Sequence, residues 1–179
     1  SRGYLNAVVI TCNSVDSTTT YDIVYDVNQG TGSVPATLTG LSSSDTIDLE
    51  QKPAISREGY RFVGWATDSA AKEGMFTYNY IADHVVDGVV TLYAVWAKEY
   101  ELVYNSNGGD SNVPTDAKKY IVGEEITLDT VTKPVKKGFT FLGWATSDTA
   151  ENGIAKLTVA ENNIVDNKIQ VYAVWQAEG

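Results

Sequence analysis

The sequence predicts a mostly β chain made of two copies of one small unit, each with a small mixed sheet. First, Gly59-Tyr60-Arg61-Phe62-Val63-Gly64-Trp65 returns as Gly138-Phe139-Thr140-Phe141-Leu142-Gly143-Trp144, an offset of 79 (138 − 59). Tyr21, Tyr25, Asn28 and Pro35 find Tyr100, Tyr104, Asn107 and Pro114 at the same distance, and Tyr93-Ala94-Val95-Trp96 finds Tyr172-Ala173-Val174-Trp175. Self-similarity at a fixed period marks a tandem repeat. Second, the opening and closing segments of each copy carry the alternation or the apolar run of strands. Third, nothing in the chain has the spacing of a long amphipathic helix.

The first 20 residues stand outside the repeat. Leu5 to Thr11 is apolar and β-branched enough for one strand, and Thr18-Thr19-Thr20 is a polar connector. Residues 1–20 therefore read as a leader or the end of a preceding module, with an extra strand added to the first repeat as the alternative, 21–97 as the first repeat and 98–179 as the second. From Tyr21, the residues Tyr21, Ile23, Tyr25 and Val27 alternate with Asp22, Val24 and Asp26, as in a half-buried strand. Asn28-Gln29-Gly30 ends it, and Asn107-Gly108-Gly109 ends its twin, because Asn and Gly tolerate the positive φ of tight turns. A Ser, Thr and Asp-rich connection leads to a short second strand, Thr46 to Leu49, matched by Glu125 to Leu128. Pro53 and Pro134 stop it. These prolines stand 81 apart (134 − 53) while the glycines after them return to 79, so length is held while the loop varies.

The heptad alternates Tyr60, Phe62, Gly64 against Arg61, Val63, Trp65, and Gly64 and Gly143 inside a strand pattern imply a bulge or a close backbone approach. Polar loops with Gly74 or Gly153 follow. Tyr78 to His84 and Thr158 to Asn163 fit either a strand or a short helical turn. Val90 to Trp96 and Ile169 to Trp175 are near-continuously apolar, as central strands are. Only Ala97-Lys98-Glu99 separates Trp96 from Tyr100, too little for a flexible tether.

Units of this size bury only about 60% of their unfolded surface and lean on dense packing. Four Trp, eleven Tyr and four Phe supply it, and the single cysteine, Cys12, cannot close a disulfide within the chain. A formal net charge of −10 repels a phosphate backbone and anionic lipid heads, which argues against nucleic acid as a partner. No run of about 18 apolar residues offers membrane insertion. The start lacks the pattern of a signal peptide, and the chain reads as a piece of something longer.

The opening strand ending in Asn-x-Gly, the Gly-Tyr-x-Phe-x-Gly-Trp core and the Leu-Tyr-Ala-x-Trp ending together resemble the Listeria-Bacteroides repeat of bacterial surface proteins. Here they are Tyr21 to Gly30, Gly59 to Trp65 and Leu92 to Trp96, then Tyr100 to Gly109, Gly138 to Trp144 and Val171 to Trp175. Phe139 and Val171 depart mildly from the pattern, as does the single Gly after Asn28. The resemblance implies an α+β, β-grasp (ubiquitin-like) fold in each repeat, a place in cell-wall-attached or secreted proteins, and no shared catalytic residues.

Candidate chemistry is sparse. Trp65, Trp96, Trp144 and Trp175 are sugar-stacking candidates, but their recurrence in one register marks them as structural core, with Phe62, Phe141, Tyr93 and Tyr172. Tyr78 and Tyr80 face Leu157 and Val159 at the offset, so these unshared aromatics are the candidates for a private ligand contact. His84, the only histidine, leaves no cluster for zinc and at most one imidazole for any Ser or Cys nucleophile. Asp83, Asp87, Glu161 and Asp166 lack the alternating, Gly-centred spacing of a calcium loop. Lys133, Lys136 and Lys137 sit in a turn pattern that does not support an isopeptide link. Asn107-Gly108 is chemically labile, since Gly leaves the Asn side chain open to backbone attack.

The expected function is a non-enzymatic stalk or spacer at the bacterial surface, without metal or cofactor. Its expected contacts are neighbouring repeats and a host or cell-wall protein or glycan. The rival is a carbohydrate-binding accessory module of a secreted enzyme.

Overall fold

The structure, a computed structural model, describes residues 19–49 and 52–179. Cys12 and the strand expected over Leu5 to Thr11 lie outside the described residues. The first repeat contains β1 (Thr20–Asp26), β2 (Thr31–Ser33), β3 (Leu38–Ser42), β4 (Thr46–Asp48), β5 (Ala54–Ser56), β6 (Tyr60–Ala66), β7 (Thr77–Asn79) and β8 (Val89–Lys98). The second contains β9 (Tyr100–Asn105), β10 (Lys119–Tyr120), β11 (Glu125–Thr127), β12 (Phe139–Ala145), β13 (Lys156–Thr158), β14 (Ile164–Val165) and β15 (Lys168–Ala177). Among the described residues the only helical turns are 3-10, at Ala82–His84 and Glu161–Asn163. The two segments that fitted strand or turn thus hold both, in succession.

Each repeat builds one small mixed sheet. The order is β3-β1-β8-β6 in the first and β10-β9-β15-β12 in the second, with β14 added beside β15. In both, the opening and closing strands lie parallel at the centre, Ile23 opposite Val90 and Leu102 opposite Ile169. Their neighbours run antiparallel. The closing strands are the most apolar because they are central and touch the core along their length. Val90, Leu92 and Ala94 are buried on one face, as are Ile169, Val171 and Ala173.

The Ser, Thr and Asp-rich connection is more structured than its composition suggests. It contains β2, paired with β5, and β3, which edges the main sheet against β1. Both pairings are non-local, so local composition does not reveal them.

The heptad strand also departs from simple alternation. Register shifts between Phe62 and Gly64 and between Phe141 and Gly143, so one extra residue enters each strand. The bulge reverses the alternation, and Phe62 and Trp65, expected on opposite faces, pack together at 5.2 Å between ring centroids. Phe141 and Trp144 do the same at 5.2 Å. The glycine is needed twice over: Gly64 has φ of 142°, and a Cβ on it would lie 2.7 Å from Gly74 Cα. Bulge and close approach are therefore one device, which turns Phe62 and Trp65, and likewise Phe141 and Trp144, to the core side.

Candidate functional site

The aromatic positions separate into three groups. Trp65 and Trp144 are fully buried. Each is met edge-on by a tyrosine of the opening strand, Tyr25 or Tyr104, at 4.8 Å. Such pairs add roughly 0.5–1.5 kcal/mol beyond area burial. Trp96 and Trp175, with Phe62 and Phe141, are half-buried at the core margin. Their indole N–H groups donate to the carbonyls of Val27 and Ser106, both at 3.0 Å, which ties the closing strand to the turn after the opening one. Tyr93 and Tyr172 correct the expectation of core: they are half-buried on the opposite face from Leu92 and Val171, because strand period places them there.

Tyr78, expected as a private ligand contact, is only 2% exposed. It packs edge-on against Tyr21 at 6.2 Å and occupies the place that Leu157 fills in the second repeat. A larger ring fills this core, so Tyr78 offers no platform to a ligand. Tyr80 is half-buried against Tyr21 at 5.2 Å. Burial raises the pKa of Tyr21 and Tyr78, with neighbouring phenols adding to the shift. His84 Nδ1 stands 3.4 Å from the Tyr78 hydroxyl, so the lone imidazole braces the 3-10 turn against the core. Asp83, Asp87, Glu161 and Asp166 are exposed, and among the described residues no three His, Cys, Asp or Glu side chains are placed to hold a metal.

Two constellations were not anticipated. One is the Arg61 cluster that bridges the joint between repeats. Arg61 on β6 donates Nε–H to Glu99 Oε1 at 3.0 Å, reaches Glu124 of the second repeat through Nη1, and donates Nη2–H to the Lys119 carbonyl at 2.9 Å. Lys98 reaches across to the Asn167 side chain. The guanidinium fork suits three acceptors in one plane. Burial opposes ionisation of Glu124, yet the Ile121 amide and Arg61 outweigh it and hold the carboxyl below its usual range. The available signal was a break in the repeat: Arg61 faces Thr140 at the offset of 79.

The other is a 610 Å3 cleft in the second repeat, between the turn after β9, the start of β12 and the 148–152 loop. Its floor includes Phe139 and Trp175. Lys136 Nζ lies 4.3 Å from the Phe139 ring centroid and 5.7 Å from that of Trp175. At its back, Asn107 donates both Nδ2 hydrogens, to Ala173 O at 3.0 Å and Asp148 O at 2.8 Å. Asn28 makes the same pair of bonds, to Ala94 O and Ser69 O. Both asparagines have positive φ, 44° and 49°, so turn and crosslink each demand this residue.

Among the described residues, no helix is long and apolar enough to cross a membrane. The chain is 31% identical over 96 residues to a protein of Evansella cellulosilytica that carries the name of a Gly-rich membrane protein. That match covers 51% of this chain and 11% of the relative. No solved structure matches. The Listeria-Bacteroides repeat domain matches twice, over residues 21–95 and 100–174, in the phase of the two sheets. The chain belongs to the Listeria-Bacteroides repeat family, with two tandem copies.

Proposed function

We propose that the tandem pair is a non-catalytic spacer of a bacterial cell-surface or secreted protein, fixing the separation and angle of whatever lies on either side. The observation that carries this reading is the joint. Strand β8 ends at Lys98 and β9 begins at Tyr100, leaving Glu99 alone between them. That residue is itself bonded, through its amide to Gly59 O at 2.9 Å and through its carboxylate to Arg61. A flexible tether needs unpaired backbone, and this linker has almost none. The relative's name supports a membrane-associated setting for such repeats.

Each repeat is further read as a β-grasp unit. What supports this is the sheet order, with β1 and β8, or β9 and β15, parallel at the centre and β3 and β6, or β10 and β12, on their outer sides. The rival role, an accessory module that binds carbohydrate through Tyr78 and Tyr80, loses half its basis with the burial of Tyr78. Adhesion to a host or cell-wall protein would be carried by the outer faces of the pair.

NMR relaxation tests the spacer reading. Amides of both repeats should report one shared diffusion tensor, and two independent correlation times, each fitting a single repeat, would overturn it.

A further inference from the structure

We infer that the cleft in the second repeat is a binding site for a neutral saccharide. Its volume, 610 Å3, lies in the range of small-ligand sites. Phe139 and Trp175 line the cleft beneath the Lys136 ammonium, and around them stand groups that pair with sugar hydroxyls: Asp148, Glu151, Asn152 and Gln176. Among the described residues none of these four side chains has a hydrogen-bond or ion-pair partner.

Comparison with the first repeat separates what the fold needs from what the cleft adds. In the first repeat, Asp68 Oδ1 accepts the Ala70 amide at 2.8 Å and closes the loop turn. In the second, Ser147 Oγ closes that turn through the Thr149 amide at 3.2 Å. The carboxylate stands one residue later, at Asp148, free of the turn and lining the cleft. At the offset of 79, Asp148, Glu151 and Gln176 correspond to Ser69, Lys72 and Ala97. Both repeats place a cation over the matching aromatic, but Arg57, 3.9 Å from the Tyr60 ring centroid, is pinned by Gln29 Oε1 at 3.0 Å, whereas Lys136 over Phe139 has no such partner among the described residues. Asn107 and Trp175 keep their partners Asn28 and Trp96, so the scaffold is shared and the polar lining is private.

Charge selects the ligand class. Lys136 holds an ammonium over the aromatic rings and makes no ion pair among the described residues, so a cationic peptide side chain would meet a like charge at its best stacking position. Asp148, Glu151 and the net charge of −10 disfavour an anion. A neutral, polyhydroxylated ligand uses both signs as hydrogen-bond partners, donating to the carboxylates and accepting from the ammonium and amides.

The test is titration of the 15N-labelled 179-residue chain with cellotetraose, maltotetraose and chitotetraose, with heptalysine as comparator. At least one tetrasaccharide should shift the Trp175 indole N–H and the amides of residues 148–152. The triple variant Asp148→Ser, Glu151→Lys, Gln176→Ala carries residues that the first repeat already accommodates, so its fold is kept. It should bind that sugar at least about tenfold more weakly, the loss expected when charged hydrogen-bond partners are removed. Tyr78→Leu should bind as the parent does. The inference is overturned if no tetrasaccharide shifts these signals, if the triple variant binds undiminished, or if heptalysine alone occupies the cleft.

Discussion

Trp65 and Trp144 each stand where the opening, heptad and closing strands converge, so truncation there removes a ring that several others touch. Trp65→Ala and Trp144→Ala should each destabilise their own repeat by roughly 3–5 kcal/mol, read by denaturant unfolding of the variants. The glycines beside them offer a graded comparison. Gly64→Ala forces a Cβ to 2.7 Å from Gly74 Cα, whereas Gly143→Ala places one at 3.3 Å from Gly153 Cα. With both at positive φ, we expect about 1–3 kcal/mol for either and the larger loss at Gly64. Equal losses would point to backbone strain alone. Asn107→Asp, the product of deamidation at Asn107-Gly108, removes both N–H donors that bridge Ala173 and Asp148 and should cost about 2 kcal/mol. Tyr120 gives a pH signature: burial and the Asp116 carboxylate, 2.7 Å away, push its pKa from 10.0 to about 12. The phenol is protonated longer in the folded state, so its stabilising contribution is complete below pH 10 and lost as pH rises through 12. Absorbance titration of the tyrosines checks this. At this scale all four tryptophans recur in one register, and of them Trp65 and Trp144 are buried while Trp96 and Trp175 are half-buried. The register misplaced Tyr78, because a residue unshared between copies signals a private role or a substituted core position, and only burial separates the two.

Among elements, the closing strands and the heptad strands were legible because hydrophobic runs and turn residues are local signals. Strands β2 and β3 were not, since Gly and Ser-rich segments become strands only through partners distant in sequence. The bulge was legible as a possibility from Gly64, but its reversal of the two faces was not, because the alternation rule assumes one residue per register step. The Arg61 crosslink at the joint escaped for a similar reason. Arg61 and Glu124 are 63 positions apart, and only the substitution of Thr140 at the matching place hints at them. This element has a testable pH dependence. Glu124 is depressed in the folded chain, so its contribution is present above the ordinary carboxylate value of 4.5 and is lost as pH falls through its folded value. Both partners are about a third exposed, which limits the pair to about 1 kcal/mol or less of global stability. Arg61→Thr should therefore barely move the unfolding midpoint while widening the range of inter-repeat angles. Residual dipolar couplings that stay consistent with one orientation in that variant would remove Arg61 from the account.

For the whole molecule, two marginal cores joined through one bonded residue make a pair whose separation and angle are set by backbone pairing and by one guanidinium. The proposed spacer role depends on that geometry being single-valued, whereas the proposed saccharide site depends only on the second repeat. The two can fail separately. Small-angle scattering of the chain at neutral pH bears on the spacer most directly: one inter-repeat arrangement should account for the whole profile. A profile that requires a broad ensemble of angles, or a pair folded side by side, would contradict it.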